Sequence, residues 1–125
     1  MPIRVLVADD SSQTRLLLST LLSRRNYVVL EAVDGEQALE LLRTEHPDLA
    51  LLDLIMPKRS GFEVCQAVRS ESSLAATKII MLSASDGRSQ ALAAGADRFL
   101  AKPFRPDELF AVIDELMTIE LPPGT

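Results

Sequence analysis

Two adjacent carboxylates, Asp9 and Asp10, a third carboxylate at Asp53, a hydroxyl at Ser83 and an ammonium at Lys102 each stand at the end of a short apolar run. Three carboxylates brought together repel one another, which raises their pKa values or demands a cation. A hard divalent ion answers that demand, because Mg²⁺ prefers a few carboxylate oxygens, keeps its waters and takes phosphate oxygens as further ligands. Lys102 adds a point charge suited to phosphate, and Ser83 adds a hydroxyl donor. Together these groups suit phosphoryl transfer, where catalysis is mostly positioning and charge neutralisation. A carboxylate such as Asp53 is itself a competent nucleophile, giving an aspartyl-phosphate.

That chemistry requires elements that bring distant positions together. Five apolar runs precede the polar positions: Ile3–Ala8, Tyr27–Ala32, Leu49–Leu52, Lys78–Leu82 and Arg98–Ala101. They alternate with segments of helical period. Ser11 and Ser12 offer N-cap hydroxyls to a first helix in which Leu17, Leu18, Leu21 and Leu22 recur on one face, a stripe expected in the core. Asp34-Gly35 signals a turn or cap before Ala38, Leu39, Leu41 and Leu42, and Pro47 forbids continuation. Phe62–Arg69 reads as a third helix. Ser89–Ala94 is a short fourth one closing on Gly95. Leu109, Val112, Ile113, Leu116 and Met117 form the apolar stripe of a fifth.

Five βα units in strict alternation predict an α/β fold, a doubly wound parallel sheet with helices on both faces. The runs are nearly all apolar, as strands buried on both faces should be. In such sheets ligands bind outside the carboxyl ends of the strands, and the flavodoxin-like order 2-1-3-4-5 sets strands one and three side by side. Neighbouring strands lie roughly 5 Å apart, so Asp9, Asp10 and Asp53 are expected to converge.

On the motifs Val7-Ala8-Asp9-Asp10, Leu52-Asp53-Leu54-Ile55-Met56-Pro57 with Gly61-Phe62-Glu63, Leu82-Ser83-Ala84, Ala94-Gly95-Ala96-Asp97 and Lys102-Pro103-Phe104, the chain resembles a CheY-like receiver domain of the two-component response regulator family. The resemblance covers essentially residues 3 to 118; residues 1–120 are taken as the receiver domain and 121–125 as a tail or linker. It implies that Asp53 receives a phosphoryl group from the phosphohistidine of a sensor histidine kinase or phosphotransfer protein. Asp10, Asp53 and the backbone carbonyl of Ile55 would hold Mg²⁺ (or Mn²⁺), with Asp9 acting directly or through water. Ser83, Ala84 and Lys102 would bind phosphoryl oxygens, and Ser83 and Phe99 would form the switch toward a downstream protein or effector domain. A phosphorylation-dependent dimer is a further expectation, as is a cis Lys102–Pro103 bond. The domain would be no enzyme in the ordinary sense, since it catalyses only its own phosphorylation and dephosphorylation.

The chain departs from the family pattern in three places. The interval from Ser83 to Lys102 is 19 residues, a few short of the family's usual spacing. Ser85-Asp86-Gly87-Arg88-Ser89 is a poor helix former, so the fourth helix is expected to be short or shifted. Lys58-Arg59-Ser60 is more basic than the common version and is read as a solvated run. Ile55 and Ser85, two positions beyond Asp53 and Ser83, should govern access of water to the phosphoryl group, and the bulky Ile55 predicts slow self-dephosphorylation.

Taken singly, several of these residues have plainer readings. Asp10 suits a helix cap, Ser83 an ST-turn, Phe99 the core, and Cys65 the core beside Val64 and Val68. His46, before Pro47, reads as solvated. A dinucleotide site would need G-x-G-x-x-G after the first strand, which is absent. A haloacid-dehalogenase-type phosphatase would need an Asp where Ile55 stands. A receiver-like interaction module that works without phosphorylation is the remaining alternative, and its mark would be loss of an acidic or Lys site residue.

Composition narrows the classes further. The chain has 125 residues, room for one core. It carries 13 Lys and Arg against 18 Asp and Glu, a net charge of −5, which disfavours direct nucleic-acid or membrane partners. No secretory signal is visible, and a single cysteine builds neither a disulfide nor a metal site. A cytoplasmic location is expected on these grounds.

Overall fold

The computed structural model describes residues 2–84 and 86–118. The expectations for Ser85 and for the 121–125 tail lie outside the described residues. Five strands, β1 (Arg4–Ala8), β2 (Val28–Ala32), β3 (Leu49–Asp53), β4 (Lys78–Ser83) and β5 (Arg98–Ala101), alternate with five helices. The helices are α1 (Ser12–Arg24), α2 (Gly35–Glu45), α3 (Gly61–Ser70), α4 (Arg88–Ala93) and α5 (Pro106–Thr118). All strand pairs are parallel, in the order β2-β1-β3-β4-β5.

Alternate residues of each strand serve opposite faces of the sheet. Leu6, Ala50, Leu52, Ile79 and Met81 pack with Ala38, Leu39 and Leu42 of α2 and Val64, Cys65 and Val68 of α3. Val5, Val7, Leu51, Ile80 and Leu82 pack with Leu18 and Leu22 of α1 and Leu109, Ile113 and Leu116 of α5. Fully burying each such leucine contributes about 2 kcal/mol. The α1 stripe needs one correction. Leu18 and Leu22 are buried, but Leu17 is 52% exposed. With leucines at 16, 17 and 18, periodicity alone cannot choose the inward member, and the helix turns Leu18 to the sheet.

Helix ends follow local chemistry. Ser11 caps α1 by accepting from the Thr14 amide at 3.3 Å, and Asp34 caps α2 by accepting from the Gln37 amide at 2.8 Å. Ser60 and Glu63 form a reciprocal capping box that starts α3 at Gly61. The basic run is therefore partly structural. Lys58 also pairs with Asp34 at 3.6 Å, although its side chain is 60% exposed. His46 adopts the left-handed conformation that ends α2 before Pro47. Helix α4 is short, six residues, and Gly87 precedes it without a side-chain cap. It closes at Gly95, whose φ of +110° lies where glycine is unstrained. A single 3₁₀ turn, Ser72–Leu74, follows α3 and was not evident in the sequence.

Arg69 joins α3 to the sheet. Its guanidinium donates to the carbonyls of Gly95 (2.8 Å), Thr77 (2.8 Å) and Ala75 (3.3 Å) and to Asp97 (2.8 Å). Asp97 in turn accepts from the Ile79 amide at 2.8 Å. The Ala94-Gly95-Ala96-Asp97 motif is thus the receiving half of a clamp.

Candidate functional site

The register dictates what meets at the carboxyl edge of the sheet. Ala8 lies opposite Leu52, which sets Asp9 next to Asp53, the last residue of β3. Ser83 ends β4 opposite Ala101, and the Lys102 amide donates to the Ser83 carbonyl at 2.8 Å. Five positions spread from 9 to 102 therefore reach one edge.

Carboxylate oxygens of Asp9, Asp10 and Asp53 lie within 4.8 Å of one another, with Asp9 buried and Asp10 exposed. Lys102 leans across them, its Nζ 2.8 Å from Oδ2 of Asp9 and 3.4 Å from Oδ1 of Asp53. Asp9 is fixed at further points. Its Oδ1 accepts from the Ser11 amide at 2.9 Å, its amide donates to the Ala32 carbonyl at 3.2 Å, and its own carbonyl accepts from Arg15 at 2.7 Å. The cap of α1 falls to Ser11, so Asp10 is left to the cluster.

Burial pushes the Asp53 carboxyl above its ordinary value, and the Asp9 charge adds to that, while Lys102 opposes both. Burial pulls the Lys102 ammonium down, but its bond to Asp9 and the Asp53 charge outweigh burial and raise it. The cation is thus secured by the anions it neutralises. One ammonium does not balance three carboxylates, and hard oxygens at this spacing suit a divalent ion of the Mg²⁺ type.

The remaining expected residues are placed less centrally. Ser83 is buried at its strand end, and Ala84 is exposed beside it. Ile55 stands 70% exposed at the mouth. Phe99 lies opposite Met81, back from the edge, and turns inward into the same core cluster. The Arg88 guanidinium covers its ring at 5.1 Å from the centroid, a contact no sequence motif signals. The Lys102–Pro103 bond is cis, as the resemblance implies. Gly61 is required by close approach, since a Cβ there would lie 2.5 Å from the Asp53 carbonyl oxygen.

Comparison with known proteins gives one answer. The response regulator receiver domain family matches residues 5–114. The ycf27 protein of Porphyridium aerugineum, named a probable transcriptional regulator, is 43% identical over 114 residues, 91% of this chain and 48% of that protein. The chain spans about half the length of the curated relatives it matches first. Chemotaxis response regulator CheY4 of Vibrio cholerae superposes with a TM-score of 0.88 at 33% identity, covering 93% of this chain and 99% of that one. The receiver domain of sensor histidine kinase PA1611 from Pseudomonas aeruginosa, solved with a magnesium ion in its active-site cleft, gives 0.87 at 25% identity, with 94% and 99% covered.

Proposed function

This chain belongs to the response regulator receiver domain family, and from that membership we propose that Asp53 is its phosphoacceptor. The reading rests on one observation: Asp53 ends β3 with Lys102 3.4 Å away and two further carboxylates beside it. An Asp53 oxygen attacks phosphorus as the bond to the donor (a phosphohistidine nitrogen, or the acyl oxygen of acetyl phosphate) breaks. Lys102, already held at the site, then pairs with a phosphoryl oxygen. Burial works against the ionised nucleophile and Lys102 works for it, so the lysine serves both the attacking carboxylate and the transferred group.

Asp10, Asp53 and the Ile55 carbonyl, with Asp9 directly or through water, would hold Mg²⁺, which supplies charge neutralisation between the carboxylates and phosphate oxygens. The PA1611 receiver binds magnesium in the corresponding cleft, which supports this donor set. Ser83 and Ala84 bind a phosphoryl oxygen from the β4 side, and Phe99 carries the change outward to a downstream partner, a dimer among the possible outputs. Receiver domains work with histidine kinases and downstream effectors; a kinase or phosphotransfer phosphohistidine is the proposed donor here. The activity is self-modification rather than turnover of a separate substrate.

Incubation with acetyl phosphate and Mg²⁺, followed by mass spectrometry, tests this. Addition of one phosphoryl group to the wild type and none to Asp53→Asn is expected. No addition to wild type would leave a phosphorylation-independent interaction module instead, and equal addition to Asp53→Asn would put the acceptor at another residue.

A further inference from the structure

We infer that Arg15 is a positioning residue for the acidic cluster, holding the Asp9–Asp10 peptide so that Asp10 faces the divalent ion. This rests on the metal reading above and concerns a residue that reading does not use. Arg15 lies in the first turn of α1, its side chain only 15% exposed. Its Nη1 donates to the Asp9 carbonyl at 2.7 Å while its Nε pairs with Glu31 of β2 at 3.3 Å. A planar guanidinium held at two points is itself fixed, so the carbonyl it grips is fixed too.

That carbonyl belongs to the peptide joining Asp9 to Asp10. Asp9 needs little help, because the Ser11 amide and Lys102 already hold its two carboxylate oxygens. Asp10 is different: it is exposed, and no hydrogen bond to another described residue holds its carboxylate. Its direction is set by the backbone before it, and Arg15 sets that backbone. Glu31 also matters electrically. It neutralises the guanidinium, so the grip does not place an unbalanced positive charge beside the cluster.

The test uses the full chain and Mg²⁺ alone, followed by amide NMR, with amide exchange of Ser11 measured in metal-free protein. Loss of a group that orients a metal ligand typically costs about tenfold or more in metal affinity. Arg15→Ala is expected to weaken Mg²⁺ binding by about tenfold and to speed Ser11 exchange without metal. Arg15→Lys, which keeps the charge but reaches one partner at a time, should fall between the two. Glu31→Gln, which frees one side of the guanidinium, should weaken binding more mildly.

Wild-type Mg²⁺ affinity in folded Arg15→Ala overturns the inference, even if its thermal stability has dropped. Should Arg15→Ala fail to fold, unchanged affinity in both Arg15→Lys and Glu31→Gln overturns it equally. A wild-type chain indifferent to Mg²⁺ overturns the metal reading and this inference with it, an outcome recognisable because every variant is then silent.

Discussion

The ammonium of Lys102 lies 2.8 Å from Oδ2 of Asp9, whose residue is only 1% exposed. The site's cation is therefore part of the resting structure. Removing it leaves a carboxylate buried with one amide donor and two like charges nearby. Lys102→Met is expected to lose about 2 kcal/mol of stability, below the usual cost of breaking a buried pair because Lys102 keeps some exposure. Since a lysine and a divalent ion answer the same charge, Mg²⁺ should raise the melting temperature of Lys102→Met more than that of wild type. Thermal unfolding with and without Mg²⁺ checks this, and equal increments would contradict it. Labelling by acetyl phosphate should be lost although the metal binds more tightly.

Gly61 approaches the site from behind. A Cβ there would meet the Asp53 carbonyl oxygen at 2.5 Å and the Met81 sulfur at 2.7 Å. The carbonyl cannot retreat without moving the backbone that carries the Asp53 carboxylate. Gly61→Ala is expected to cost about 2 kcal/mol in urea denaturation and to slow acetyl phosphate labelling of Asp53. Gly87 offers a contrast, because a Cβ there meets the end of the Leu54 side chain at 2.7 Å, which is able to turn away. Gly87→Ala should stay within about 1 kcal/mol of wild type.

Why the polar edge of the sheet was legible and its supports were not follows from where the signals lie. Asp9, Asp53, Ser83 and Lys102 interrupt apolar runs, so each marks a strand end in one dimension. The parallel alternation then brings those ends to one edge. The weak fourth helix was visible in Gly87, and the Ser60-x-x-Glu63 spacing carried a capping box that explains the start of α3. Arg15, Arg69 and Arg88 carry no such mark. Their partners are backbone carbonyls, the carboxylates of Glu31 and Asp97, and the Phe99 ring, all placed by tertiary folding, and an arginine on a helix looks the same in sequence whether it grips a carbonyl or water. The Leu16-Leu17-Leu18 run failed for the opposite reason, offering more apolar residues than one face of α1 takes.

The Arg69 clamp is a stability device, and its expected response is specific. Arg69→Ala strands three carbonyls and Asp97 together, so a loss of about 3 kcal/mol is expected. Arg69→Lys should recover little, because one ammonium does not reproduce a fork that serves four acceptors. Asp97→Asn keeps an acceptor for the Ile79 amide and should cost less, about 1 kcal/mol. Urea midpoints of the three variants give the order, and recovery in Arg69→Lys would show that charge rather than geometry matters there.

Asp34 supplies a pH dependence of definite sign. The bond from the Gln37 amide holds its carboxyl below the ordinary value of 3.8; burial opposes it, and the nearby Lys58 charge adds a weaker pull in the same downward direction. A carboxyl depressed in the folded state contributes stability that is fully present above the unfolded pKa and is lost as pH falls through the folded one. The melting-temperature gap between wild type and Asp34→Ala should therefore be constant near neutrality and shrink below about pH 4. Asp34→Asn keeps a capping oxygen that does not titrate, so its gap to Asp34→Ala should persist into acid. Parallel curves for wild type and Asp34→Ala down to acid unfolding would mean that the cap works without its charge. Convergence near neutral pH would mean that the carboxyl is not depressed at all.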